Sequence, residues 1–448
     1  PRMDDRSLTR FPLEYKPVPR DDALDWSEWG GLYRATEMCN NNGTCRKFGS
    51  GVMCPSYRVT KDEQHLTRGR ANALRLALTG QISSGAMTSP EMYETFELCV
   101  SCKGCKRECP TGVDVARMKI EFLNEYHKQN GLSLRSRMVA YLPRYARWAA
   151  RLSWLFNAQN ISMFRGLRRR FLGLASERSI PAWRQDIFKN VSNEMPANSS
   201  KVVLFADTFN RYFEPENLRA AVQVLESAGY QVLTPTPKDK KRPLCCGRTF
   251  LSNGLVDEAK KEAQRVLDTL MPYVEEGIPI VGLEPSCLLS LRDEFGAMLP
   301  GKDTEALEKQ SMLFEEFLIA ESAAGRMKLD FKVLEKSKAL VHGHCHQKAF
   351  GLVPTVKEVL SWIPNLDVEL IESSCCGMAG AFGYEAEHYD TSIKMAELDL
   401  LPAIRKAGDD TLIVADGTSC RCQIRDGSAR EGWHVARVLE SALATRTN

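Results

Sequence analysis

No stretch of this chain approaches the ~18–20 consecutive apolar residues that a membrane-spanning helix needs, so no helical transmembrane protein is expected. The opening residues Pro1-Arg2-Met3-Asp4-Asp5 are polar and give no sign of a secretory leader. Since the first residue is not Met, something upstream is expected to have been removed or to belong to another piece. An excess of one charge is also missing: 60 Lys and Arg against 57 Asp and Glu leave +3, and no nucleic acid partner is expected. Histidine is sparse, with seven in 448 residues. Cysteine is abundant. Fifteen in a chain this large, at close spacings, point away from the disulfide framework of a small secreted domain. They point to metal ligation and a cytoplasmic location.

The cysteines fall into four groups. The first runs Cys39-x5-Cys45-x8-Cys54-Pro55, and the second Cys99-x2-Cys102-x2-Cys105-x3-Cys109-Pro110. Two triplets follow, Cys245-Cys246-Gly247 and Cys375-Cys376-Gly377. The second group has the spacing by which backbone turns wrap thiolates around an iron–sulfur cube, its last cysteine serving a neighbouring cluster. By that crossover Cys99, Cys102, Cys105 and Cys54 form a 4Fe-4S site. The neighbour receives Cys39, Cys45 and Cys109, with Asn42 where a further cysteine belongs. Three thiolates suit a 3Fe-4S cluster, and a 4Fe-4S cluster with a non-cysteine ligand is the alternative.

The expected architecture is multidomain: an α-helical ferredoxin domain followed by two α/β Cys-Cys-Gly repeat domains. Residues 1–30, rich in Pro and charge, read as a linker or wrapping arm. Residues 31–130 hold the first two cysteine groups, 45 residues apart and joined by helical patterns. One spans Gln64–Gln81, with Leu66, Ala73, Leu74, Ala77 and Leu78 on one face. Another starts at Ser89-Pro90, and a third runs Val115–Tyr126. Residues 131–195 are a basic, aromatic connector that includes Tyr141, Trp148, Trp154, Phe164, Phe171 and Trp183. Packed aromatics with solvated arginines are the favoured reading, and a helix face on an anionic membrane is the alternative.

From about 200 the chain alternates strand-like runs with helical ones, which argues for α/β layers with largely parallel strands. The strand-like runs are Val202–Ala206, Gln231–Thr234, Ile278–Gly282, Ala339–His342, Asp367–Ile371 and Thr411–Ala415. The helical runs include Glu216–Ala228, Asp257–Leu270, Ala386–Ala407 and Ala429–Ala444. This half is an internal repeat, divided as 196–330 and 331–448. Ile280–Cys287 matches Ile413–Cys420, each a strand running into a Ser-Cys turn. Cys287 follows Cys246 by 41 residues, and Cys420 follows Cys376 by 44. In the second repeat Cys345, Cys375, Cys376 and Cys420 make a four-thiolate set for a further iron–sulfur or metal centre. His344 and His346 lie beside it to tune it. The first repeat keeps Cys245, Cys246 and Cys287, but Asp207 or Thr208 stands at the fourth place. It is read as degenerate, with a cluster completed by an oxygen ligand as the alternative. Cys422 is an extra cysteine, read as a small buried hydrophobe.

Several longer motifs carry a resemblance. They are Met3–Leu8, Thr67–Asn72, Leu244–Arg248, Leu283–Cys287, His342–Lys348 and Ser374–Gly380. Together they resemble the C-terminal iron–sulfur half of fused FAD-linked oxidases of the D-2-hydroxyglutarate dehydrogenase type. The chain is similar as well to the iron–sulfur subunit of glycolate oxidase and to the C-subunit of anaerobic glycerol-3-phosphate dehydrogenase. More distantly it resembles the B-subunit of heterodisulfide reductase.

The resemblance implies an electron-transfer half or subunit of an FAD-dependent D-2-hydroxy acid dehydrogenase, of the D-2-hydroxyglutarate, D-lactate or glycolate class. FAD is expected on the partner half, because this chain holds no Gly-rich FAD loop, and no catalytic residue is assigned here. Electrons would leave to quinone or another carrier. A heterodisulfide-reductase-like thiol/disulfide reaction at the second Cys-Cys-Gly centre is the alternative. Heterodisulfide reductase has one more cysteine three residues before the last, where this chain has Glu284 and Gly417. Peripheral contact with the inner face of a membrane and a homo-oligomer also stay among the expectations.

Overall fold

The computed structural model describes residues 16–444 except 50, 84 and 192–198. The first half of the arm, the Met3–Leu8 motif and residues 192–195 of the connector therefore lie outside the described residues. The described part of the arm docks on the cysteine-rich half. Glu121, fully buried, accepts hydrogen bonds from Ala23 N (2.6 Å), Leu24 N (3.0 Å) and Trp26 Nε1 (3.1 Å).

The cysteine groups sit between short helices. Thr67–Leu78 buries Ala71, Leu74, Ala77 and Leu78 at helical spacing, while Ala73 is only half-buried. Pro90–Glu97 begins as its Ser-Pro start predicts, with Ser89 Oγ accepting from Met92 N at 3.3 Å. Val115–Asn130 is capped by Asp114, whose carboxylate accepts from Arg117 N at 3.0 Å.

The connector departs from the favoured expectation. It forms four helices, Leu134–Ala140, Leu142–Arg151, Ser153–Asn157 and Ser162–Leu172. Trp183 is buried against Tyr212 and Phe213. Trp148, Trp154, Met163 and Phe171, however, are 62%, 70%, 76% and 69% exposed. The reason is visible in Leu142–Arg151, whose inward face is Pro143, Ala146, Ala149 and Ala150. Small residues pack this helix closely and send its large ones outward. Nor are all the arginines solvated. Arg168 donates to Ala175 O and Arg178 O (both 2.7 Å), and Arg178 donates to Gly383 O at 2.6 Å.

Two four-stranded parallel sheets follow. The first holds β1 (Lys201–Phe205), β2 (Gln231–Leu233), β3 (Ile280–Gly282) and β4 (Ser311–Leu313) in the order β2-β1-β3-β4. The second holds β5 (Lys338–Val341), β6 (Asp367–Leu370), β7 (Thr411–Val414) and β8 (Gly432–Trp433) in the order β6-β5-β7-β8. The shared order matches the internal repeat read from the Ser-Cys turns. β4 and β8 leave no mark in the sequence pattern, because two or three residues are too short to display a period of two.

Two long helical runs are also corrected. Ala386–Ala407 is divided into Tyr389–Glu397 and Leu400–Lys406. Pro402 has no N–H to continue the ladder, and its ring clashes with the carbonyl four residues back. Ala429–Ala444 shrinks to Val435–Ala442, because Ala429 ends the preceding helix in a left-handed conformation and Gly432–Trp433 becomes β8.

Each sheet switches direction between its first and third strands. A crevice forms there at the carboxyl ends, the usual ligand position in open α/β sheets. Both Cys-Cys-Gly loops and both Ser-Cys turns open at those ends.

Candidate cysteine-lined metal centres

Cys54, Cys99, Cys102 and Cys105 line one small cavity of about 20 Å³. Cys54 precedes Pro55, which starts the helix Pro55–Thr60, and Cys99 follows the end of Pro90–Glu97. Cys102 and Cys105 flank Lys103, in the left-handed region at φ 59°, and Gly104, which opens the helix Gly104–Glu108. Gly104 is required here, since a Cβ would lie 2.9 Å from Val52 Cβ. Burial raises the Cys102 and Cys105 thiols well above their ordinary range. They lose their protons only to a partner as strong as a metal.

Spacing arguments missed two cations beside these cysteines, the buried Arg70 and the half-buried Lys119. Arg70 points Nη1 at Cys54 Sγ (3.5 Å) while Nε donates to Thr95 O (2.9 Å) and Nη2 to Ser56 Oγ (3.0 Å). Lys119 Nζ donates to Cys99 O at 2.6 Å. A buried cation offsets the negative charge that several thiolates bring together. Four thiols lining one cavity and two cations beside it fit an iron–sulfur group.

Cys39 and Cys45 are buried and Cys109 is half-buried. Burial raises the Cys45 thiol, with Cys39 and Cys54 near enough to add to the effect. Cys109 Sγ meets Thr111 Oγ1 at 3.3 Å. Asn42 is exposed, and its amide serves a local turn. Nδ2 donates to Asn40 Oδ1 (2.6 Å), and Oδ1 accepts from Thr44 N (2.9 Å).

In the second repeat the four expected cysteines form a chain of sulfur contacts, Cys345 to Cys375, Cys375 to Cys376 and Cys376 to Cys420. Hydrogen bonding within the chain lowers Cys345 to about 6 and also lowers Cys376, while Cys375 and Cys420 are raised. Gly377 takes φ 83° after the paired cysteines, and a Cβ there would lie 2.2 Å from Ser392 O. Lys348 Nζ, anchored on Ser373 O (2.6 Å) and Ser374 O (2.9 Å), adds a cation beside all four thiols. Cys422 stays apart, buried beside Tyr384.

The first repeat brings Cys245, Cys246 and Cys287 into a similar chain. Strand register identifies the residue at its fourth place. Leu204 pairs with Val281 and Val341 with Val414, and Val281 and Val414 are equivalent in the Ser-Cys turns. Asp207 therefore corresponds to His344, and Thr208 to Cys345. Asp207 and His344 do the same work, each capping the helix that follows. The Asp207 carboxylate is occupied by Phe209 N (2.9 Å), Asn210 N (3.0 Å) and Asn210 Nδ2 (2.7 Å).

The centres are not isolated from one another. Cys102 shares an apolar cluster with Cys345, Cys375, Cys376 and Cys420. Ser374 Oγ donates to Val52 O at 2.8 Å, and His346 Nε2 meets Ser101 O at 3.1 Å. Between the repeats, Glu284 Oε2 accepts from Thr418 N at 2.9 Å, and Arg248 Nη2 meets His346 Nε2 at 3.4 Å.

Comparison with known proteins agrees with this arrangement. Residues 35–113 match the 4Fe-4S dicluster domain, and residues 205–292 and 339–425 each match the cysteine-rich domain named for its Cys-Cys-Gly motif. D-2-hydroxyglutarate dehydrogenase of Escherichia coli (strain K12) is 25% identical over 92% of this chain and 44% of its own length. The C-subunit of anaerobic glycerol-3-phosphate dehydrogenase of Escherichia coli (strain K12) is 29% identical over 57% of this chain and 63% of its own. Lactate utilization protein A of Exiguobacterium sp. (strain ATCC BAA-1283 / AT1b) is 24% identical over 54% of this chain and 98% of its own. The chain thus spans less than half the length of the D-2-hydroxyglutarate dehydrogenases it matches. Its cysteine sets and these likenesses give it an electron-transfer role as an iron–sulfur protein that carries a 4Fe-4S dicluster domain and two cysteine-rich domains.

Proposed function

We propose that the chain is the electron-transfer half or subunit of an FAD-dependent D-2-hydroxy acid dehydrogenase. FAD sits on the partner half, and quinone or another carrier is the acceptor. Iron–sulfur groups supply one-electron transfer at sites held by Cys54, Cys99, Cys102 and Cys105, by Cys39, Cys45 and Cys109, and by Cys345, Cys375, Cys376 and Cys420. The observation that carries this reading is the shared apolar cluster of Cys102 with the second-repeat cysteines, which packs the two cysteine sets into one buried region. The commitment of the Asn42 amide to its own turn supports three thiolates acting without it, as in a 3Fe-4S site. Burial of Cys345, Cys375, Cys376 and Cys420, none more than 8% exposed, supports relay over direct attack on a bulky disulfide. Iron analysis with EPR of the oxidised and dithionite-reduced chain tests the proposal. Iron-free, colourless protein after anaerobic purification overturns it.

Docking on an anionic membrane surface belongs to the same proposal. Trp148, Trp154, Leu155, Met163, Leu167 and Phe171 are all more than half exposed. Arg147, Arg151, Arg169 and Arg170 stand exposed among them, and no Asp or Glu occurs between Glu125 and Glu177. Apolar side chains rimmed by arginine suit the boundary between lipid headgroups and acyl chains. No helix among the described residues is long and apolar enough to cross a membrane, so the contact is peripheral.

A further inference from the structure

Of the three histidines after β5, His342 occupies the most committed position. It is 1% exposed. His344 is used as a helix cap, its Nδ1 accepting from His346 N at 3.1 Å, and His346 Nε2 is held at Ser101 O. His342 differs. Its Nδ1 bonds Ser373 Oγ at 2.9 Å, while its buried Nε2 has no partner but the Cys376 thiol. That atom, Cys376 Sγ and Cys420 Sγ all lie within 4.8 Å of one another, the one such group of ligand atoms found among the described residues.

The protonation state follows from the neighbours. Ser373 Oγ accepts from Lys348 Nζ at 3.1 Å and turns its own proton toward Ile371 O at 3.4 Å. Ser373 is thereby an acceptor for Nδ1–H, and Nε2 is left as a bare lone pair aimed at the cysteines. A histidine oriented through its other nitrogen is how proteins present imidazole to a metal.

The first repeat supplies an independent comparison. The register that pairs Thr208 with the place of Cys345 puts Phe205 at the place of His342. The repeat that lacks the fourth thiol lacks the imidazole as well. The two donors are present together or absent together.

We propose that His342 Nε2 is a metal ligand of the centre held by Cys345, Cys375, Cys376 and Cys420, giving that centre a mixed sulfur and nitrogen donor set. The inference rests on the assignment of an iron–sulfur centre to these cysteines. A neutral imidazole adds no negative charge where a fifth thiolate would, and so favours a higher reduction potential, as histidine does in Rieske centres.

The test uses the full chain, labelled with 15N and examined by pulsed EPR in its paramagnetic state, beside His342→Phe and His342→Cys. A strongly coupled nitrogen is expected in the wild type and in His346→Ala, and is expected to vanish in His342→Phe. His342→Cys is expected to keep the iron and lower the midpoint potential of this centre alone. An iron-loaded centre with no strongly coupled nitrogen, or a potential unmoved in His342→Cys, overturns the ligand assignment and leaves the electron-transfer reading intact. If Cys345→Ser and Cys376→Ser change neither iron content nor EPR, the centre itself is absent and both fail.

Discussion

His346 Nε2 and the main-chain oxygen of Ser101 meet at 3.1 Å, joining the helix that opens at Cys345 to the loop between Cys99 and Cys102. Burial lowers the His346 pKa well below its ordinary value, so the ring is neutral at physiological pH and donates one fixed hydrogen bond. Replacing His346 with Ala is expected to cost about 1–2 kcal/mol of stability in equilibrium unfolding, the range of a buried hydrogen bond. It is expected to slow electron equilibration between the two centres in freeze-quench EPR. Unchanged equilibration would argue against this junction as the route.

His388 makes stability depend on pH. Burial pulls its pKa down, but hydrogen bonds and charge from Glu385 (2.7 Å) and Glu97 (3.0 Å) outweigh this and lift it to about 9. The raised pKa means the contribution is complete below about 6.5, the unfolded value, and is lost as pH rises through about 9. Chemical unfolding between pH 6 and 10 is expected to show a loss on the order of 2 kcal/mol that is absent in His388→Gln. An equal pH profile in the variant would remove His388 as the cause.

Asn42→Cys supplies the thiolate missing from the first cysteine group. The exposed amide leaves its turn at little cost, since surface changes are usually within about 0.5 kcal/mol. If the wild-type site holds three irons, the oxidised-state EPR signal of a three-iron cluster is expected to disappear in the variant while iron per chain rises. An unchanged signal would mean that position 42 does not face the site.

Arg70 shields the thiolate of Cys54 at 3.5 Å. Arg70→Met removes the charge and leaves Ser56 Oγ and Thr95 O without their donor. The expected result is a lower midpoint potential for the 4Fe-4S site, read by redox titration, with a stability loss of about 3 kcal/mol. Cys54→Ser is expected to remove the iron of that site, whereas Cys422→Ser is expected to leave the total iron unchanged.

Flotation with phosphatidylcholine vesicles, with and without phosphatidylglycerol, checks the exposed connector face. Binding is expected only with the anionic lipid and is expected to weaken at 0.5 M salt, because screening shortens to a few ångströms, roughly 4 Å. The pair Trp148→Glu and Phe171→Glu is expected to abolish it. A chain that floats with neither vesicle would assign the face to a protein partner instead.

Much of this was legible from spacing, because cluster ligands are delivered by local turns whose lengths are written in the chain. Cys54 facing Cys99 across 45 residues followed from the same logic, and a cavity lined by both exists. Arg70 and Lys119 were not legible as site residues. Each reaches its place through tertiary packing, and a lone cation carries no spacing signal. His342 stood in a histidine-rich segment beside Cys345, but only the fold separates its place from those of His344 and His346. The outward Trp148 and Trp154 were misjudged for a related reason: size suggested a core, whereas the inward face of Leu142–Arg151 is alanine. The choice between Asp207 and Thr208 needed strand register, which no single sequence supplies.

The contact of Glu284 with Thr418 N gives the first repeat a purpose that does not depend on metal. That lobe works as a jig. Its Glu284 braces the turn that carries Cys420, and its Arg248 lies against the ring of His346. Damage from random substitution in this lobe should therefore concentrate at Glu284 and Arg248, and should register as faults in a centre some 130 residues further along the chain.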